Sequence, residues 1–83
     1  MAWEIRIEKK AQKELNKIST QYQQRIAAAL LIIAGNPFVG KKLDGKLTGL
    51  YSHKIWPYRI IYKIYKKILL IVVIRIGHRQ GIY

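Results

Sequence analysis

No cysteine occurs among the 83 residues, so neither a disulfide framework nor a zinc–thiolate site can support this chain, and a reducing, cytoplasmic compartment fits it. A cysteine nucleophile is excluded as well. Carboxylates are scarce: residues 1–40 carry three and residues 41–83 only Asp44. Without paired carboxylates in the second half, a two-metal nuclease or a glycosidase centre is hard to build. The two histidines, His53 and His78, lie 25 positions apart and form an acid/base pair only if folding brings them together. "GKKLDGK" lacks the GxxxxGK[ST] spacing of a phosphate-binding loop. The apolar run ILLIVVI is seven residues long, well short of the ~20 that span a bilayer, so it reads as a buried strand and no membrane association is expected. The opening MAWEIRIEKK alternates apolar and charged residues, unlike a signal peptide or a transit segment.

What the chain does have is positive charge. Sixteen Lys and Arg against four Asp and Glu give a net charge of +12, and residues 41–83 hold ten bases against one acid, which is +9 of that total. So large an excess repels itself, and a merely solvated surface would mix signs, so a polyanionic ligand is expected. The length suits one domain over residues 1–83, with apolar content (51%) enough for a single core.

The hydrophobic period divides the chain into segments. Trp3, Ile5 and Ile7 alternate with Glu4, Arg6 and Glu8, as in a half-buried strand. Ala11, Leu15, Ile18 and Tyr22 recur at helical spacing from Lys9 on. Ser19 and Thr20 interrupt with N-cap chemistry, and Tyr22, Ile26, Ala29, Leu30 and Ile33 resume the pattern until "GNP" ends it. The stretch 35–49, rich in glycine and lysine, reads as a basic loop. Three strands follow at 50–56, 58–65 and 68–76, separated by breaks short enough for antiparallel connections. The order strand, helix, helix, strand, strand, strand predicts an α+β domain with a mostly antiparallel four-stranded sheet and a helical hairpin on one face.

Residues two apart in a strand share a face. Tyr58, Ile60, Tyr62 and Ile64 form the expected core set, with Tyr51, His53 and Ile55 on one side of the preceding strand. Lys54, Arg59 and Lys63 then share the uncovered face, with Arg75 as a neighbour, and no carboxylate is expected among them. Such a cationic surface suits RNA cleavage, because RNA brings its own nucleophile, the 2′-hydroxyl. Fixed cations stabilise the charge of the transition state, a lysine crowded by other cations gives up its proton more readily, and a tyrosine can stack on a base or pass a proton.

The run GLYSHKIWPYRIIYKI, followed a strand later by IGHRQGIY, resembles the RelE/ParE superfamily of bacterial toxins over essentially the whole chain. What the resemblance implies is the RelE-like fold and, in its RelE branch, metal-independent cleavage of messenger RNA in the ribosomal A site through a 2′,3′-cyclic phosphate, with no cofactor. Carried over by position, it implies catalytic roles for Lys54, Arg59, Arg79 and Tyr83. Ser52 stands where that branch has a further lysine, which leaves the base at Lys54 alone or shared with Tyr83 or His78. It also implies an acidic antitoxin as partner and the ribosome as the working surface. Lys9, Lys10, Lys13 and Lys17 in the first helix, Lys41, Lys42 and Lys46 in the loop, and Lys63 and Arg75 on the strands are expected as contacts to the RNA backbone. Two other outcomes share this fold: a ParE-like inhibitor of DNA gyrase, and an RNA-binding homologue that cuts poorly.

Overall fold

The structure is a computed structural model that describes residues 3–78. The alternating opening segment forms β1 (Glu4–Ile7), and two helices follow, α1 (Lys9–Asn16) and α2 (Thr20–Gly35). α2 buries Ile26, Ala29 and Ile33, the three- and four-residue spacing that places side chains on one stripe. Ser19 begins α2 through its backbone carbonyl, which accepts from the amides of Tyr22 and Gln23, while its hydroxyl caps nothing. At the far end the chain turns at Asn36, whose side chain accepts from the Phe38 amide, and Pro37 cannot continue the helix.

The sheet has five strands where four were expected. The additional one, β2 (Lys41–Lys42), lies inside the stretch read as a loop and pairs antiparallel with β3 (Leu50–Ile55). Two residues are too few to carry a period, so nothing in their pattern marks a strand. β4 (Tyr58–Tyr65) and β5 (Leu70–His78) complete the order β1-β5-β4-β3-β2. β3 turns into β4 through the cis Trp56–Pro57 peptide, and β4 into β5 through a 3₁₀ turn at Lys66–Ile68. β1 runs parallel to β5 and the other pairings are antiparallel.

Both helices cover the same face. Their buried residues meet Tyr51, Ile60, Tyr62, Ile71, Val73 and Ile76 in a single core, with Ile5, Ile7, Ile55, Tyr58 and Ile64 around it. The parity expected for β3 and β4 is therefore the one observed. A bulge between Ile61 and Tyr62 keeps it on β5 as well, with Val73 and Ile76 both on the helix side. α2 also leaves Leu31 (77% exposed) and Ile32 (55%) facing outward, a feature its core stripe does not explain.

Candidate functional site: a cationic row on the helix-free face

Directly paired residues on neighbouring strands share a face. Lys54 on β3 pairs with Arg59 on β4, which pairs with Gly77 on β5. The next row inward is Lys41, Ser52, Ile61 and Arg75, one from each of β2 to β5. Ser52 and Ile61 are buried, at 5% and 3% exposure. They form a short, uncharged floor between the longer side chains of Lys41, Lys54, Arg59 and Arg75. The third row holds Leu50, Lys63, Val72 and Arg6. Lys63 turns its ammonium over the Tyr65 ring, 5.2 Å from the centroid.

Lys54 and Arg59 thus stand side by side as expected, but Arg75 is committed elsewhere. β1 stops at the level of Val73, so beyond it one edge of β5 is open. α1 lies along this edge and brings Glu14 to it: the carboxylate accepts two bonds from Arg75 Nε (3.2 and 3.0 Å), one from Nη2 (2.8 Å) and one from the Ile76 amide (3.0 Å). Burial alone would raise the Glu14 carboxyl, but the bonds from Arg75 and Ile76 outweigh it and hold the group below its ordinary value. The same carboxylate raises the Arg75 guanidinium. At the far corner Arg6 pairs with Glu4 at 3.0 Å. The expectation of a cation cluster with no carboxylate near it is corrected at these two margins; α1 carries its acid to the sheet edge, which strand parity alone does not register.

The histidines separate from the row. His78 pairs with Tyr58 and packs edge-to-face on its ring (6.0 Å), on the face that Tyr58 shares with Tyr22 of α2. It therefore does not converge with Lys54 and Arg59, which occupy the opposite face. His53 also lies on the helix side, paired with Ile60, and burial lowers its pKa from 6.5, favouring the neutral ring. Arg79 and Tyr83 lie outside the described residues.

The remaining lysines are spread widely. Lys9, Lys10 and Lys13 lie exposed on α1 and Lys17 follows it, all on the helix side; Lys46 sits in a 3₁₀ turn at Gly45–Leu47. Lys42 pairs with Tyr51 and lines a groove of about 340 Å³ with Leu43, Leu50, Ile64 and Lys66, at the opposite end of the β3–β4 hairpin from Lys54 and Arg59. Among the described residues no helix is long and apolar enough to cross a membrane.

A helical hairpin on one face of this five-stranded sheet is a fold shared with solved RelE toxins. The chain superposes on the toxin–antitoxin complex RelBE2 of Mycobacterium tuberculosis with a TM-score of 0.88, 26% identity and coverage of 95% of this chain and 100% of the other. On the archaeal RelE–RelB complex of Pyrococcus horikoshii the TM-score is 0.83, with 25% identity and coverage of 98% and 99%. The isolated Escherichia coli RelE toxin shares the fold at 22% identity, with a TM-score of 0.82 over 93% of this chain and 84% of that one. In sequence, the chain is 30% identical to Toxin RelG of M. tuberculosis over 89 aligned positions, covering 100% of this chain and 98% of RelG. The family model described as "ParE toxin of type II toxin-antitoxin system, parDE" matches residues 5–83. The chain belongs to this family: it is a RelE/ParE-superfamily toxin of a type II toxin–antitoxin system.

Proposed function

We propose that this toxin is a ribosome-dependent endoribonuclease that cuts messenger RNA in the A site without a metal ion. The observation that carries the reading is the direct cross-strand pair of Lys54 and Arg59 on the helix-free face of a strongly basic domain. In the reaction the 2′-oxygen loses its proton and attacks the adjacent phosphorus. The bond to the 5′-oxygen breaks, and that oxygen takes up a proton on leaving. The products are a 2′,3′-cyclic phosphate and a 5′-hydroxyl. Arg59 holds the phosphate and offsets the charge that builds on its oxygens, the task to which a fixed guanidinium is suited. Lys54, paired with Arg59 across the strands, serves as base or second cation. Arg79 and Tyr83, assigned by resemblance, complete the set as a cation and a proton donor or stacking group. The exposed lysines of α1 and Lys42, Lys46 and Lys63 serve as contacts to the RNA backbone, with Lys54 and Arg59 confined to the cut.

The natural inhibitor in this reading is an acidic antitoxin. Two features of the surface favour such a partner: the apolar pair Leu31 and Ile32 on α2, and the groove rimmed by Lys42 and Lys66. An acidic amphipathic segment suits both.

The test is incubation with programmed ribosomes and mapping of the RNA ends. A-site cuts ending in cyclic phosphate, lost in Arg59→Ala, are the expected result; intact messenger sinks the reading. A second reading, inhibition of DNA gyrase without RNA cleavage, draws on the ParE-named family model. Stalled supercoiling by a protein that leaves translation untouched would establish it.

A further inference from the structure

We propose that Lys41 seats the phosphate at which the RNA is cut, holding it above Ser52 together with Lys54 and Arg59. This rests on the nuclease reading and names a residue of its site that the glycine- and lysine-rich stretch did not distinguish from its neighbours. The assignment comes from the register of β2. Lys41 pairs with Ser52 and Lys42 with Tyr51, so the first shares the face of Lys54 and Arg59 while the second turns toward the helix side. Across an antiparallel pair, diagonal neighbours such as Lys41 and Lys54 are about 7–8 Å apart, a gap two lysine side chains close easily around one anion. Between them Ser52 is short, uncharged and buried (5% exposed), so it adds no charge of its own and the cations beside it set the potential there. Arg75, at the other end of the same row, is held by Glu14. Among the described residues Lys41 is therefore the cation of this row with no carboxylate partner.

Its backbone is fixed before the substrate arrives. The Gly40 amide donates to the Tyr62 hydroxyl at 3.1 Å, and that hydroxyl donates to the Pro37 carbonyl at 2.7 Å. A cation anchored in this way adds most where charge increases during the reaction, so Lys41 acts on the rate at saturation as well as on affinity. The departure at position 52 then has a physical answer: a positive charge beside Lys54 comes from the adjacent strand.

Single-turnover cleavage on programmed ribosomes, at saturating toxin, tests this with the parent, Lys41→Ala, Lys67→Ala and the transposed variant Lys41→Ser/Ser52→Lys. Lys67 lies in the turn after β4 and outside the site, so its variant removes the same charge from a distant position. In parallel, a 2′-O-methyl RNA hexamer is titrated into each free protein at several salt concentrations. We expect Lys41→Ala to slow cleavage about 10- to 100-fold, Lys67→Ala to stay within about twofold, and the transposed protein to regain most of the lost rate. The salt slope for the hexamer should fall by about one counterion in Lys41→Ala alone. Parental cleavage by Lys41→Ala, or a loss matched by Lys67→Ala, overturns the proposal. So does a transposed protein that melts like the parent yet cuts as slowly as Lys41→Ala. If the parent itself leaves messenger intact, the nuclease reading fails, and the hexamer decides Lys41 independently: a slope reduced only in Lys41→Ala keeps it as a phosphate contact, and equal slopes remove it.

Discussion

The buried hydroxyl of Tyr62 holds Gly40 in place from 22 positions away, accepting the Gly40 amide while donating to the Pro37 carbonyl. This contact ties β4, at the centre of the sheet, to the turn that launches β2, and so sets where Lys41 emerges. Tyr62 is fully buried, and burial pushes its phenol up to about 12, so the hydroxyl keeps its proton throughout the neutral range.

Tyr62→Phe leaves two backbone groups without their partner and should cost about 1–3 kcal/mol in urea unfolding. The sign of its pH dependence follows from the raised pKa. The stabilisation is complete below the unfolded value of 10.0 and is lost as pH rises toward about 12. The gap between parent and variant should therefore narrow across that window; a gap that widens on raising pH contradicts the assignment.

Gly40→Ala should destabilise the protein too, because a Cβ there meets the Tyr62 hydroxyl and approaches the Ser52 carbonyl at 3.1 Å. Combined with Tyr62→Phe, part of the clash disappears, so the two losses should add to more than the double variant shows. Strict additivity in a double-mutant cycle would separate the two residues.

Glu14→Gln should cost about 1–3 kcal/mol at neutral pH, since it removes the charged acceptor of Arg75 and weakens the cap on the Ile76 amide. Because the folded carboxyl lies below its ordinary 4.5, its stabilisation is present above that value and lost as pH falls through the lowered one. Denaturation at a series of acid pH values should show parent and variant converging below pH 4.5; parallel curves would mean the pair contributes little.

Arg59→Ala and Lys54→Ala should each slow A-site cleavage, Arg59→Ala by about 10²–10³-fold, the scale of one lost group that stabilises transition-state charge. His78→Asn should cut within a few-fold of the parent, because its ring packs on Tyr58 away from the row. A collapse of activity in His78→Asn with the fold intact would place the proton transfer on the histidine after all.

Replacing Lys9, Lys10, Lys13 and Lys17 together should weaken ribosome binding and flatten its salt dependence, with little change in the rate at saturation. They lie on the helix side of the domain, on α1 and just after it, whereas Lys54 and Arg59 share the opposite face, and unchanged affinity would remove them from the footprint.

Much of this was legible in the order of the residues. The alternation of Trp3, Ile5 and Ile7, the helical spacing through Ile33 and the parity of Tyr58 to Tyr65 depend on local periods, and periods survive folding because they reflect which side of each element meets the core. The same parity placed Lys54 and Arg59 together, and the superfamily resemblance was carried by linear motifs. The register of β2 and the reach of Glu14 to Arg75 were decided only in three dimensions. A two-residue strand has no period to read, and a carboxylate 61 positions from its arginine meets it only once α1 has packed along the open edge of β5. His78, a candidate to share the base by resemblance, lies on the other face, because a strand turns neighbouring side chains to opposite faces and its pairing with Tyr58 puts it on the helix side. Sequence by itself determined the two helices, four of the five strands and their cationic face; the tertiary structure added β2 and decided that Arg75 and Arg6 are paired with carboxylates, because pairing across strands and packing of α1 join residues that the chain keeps apart.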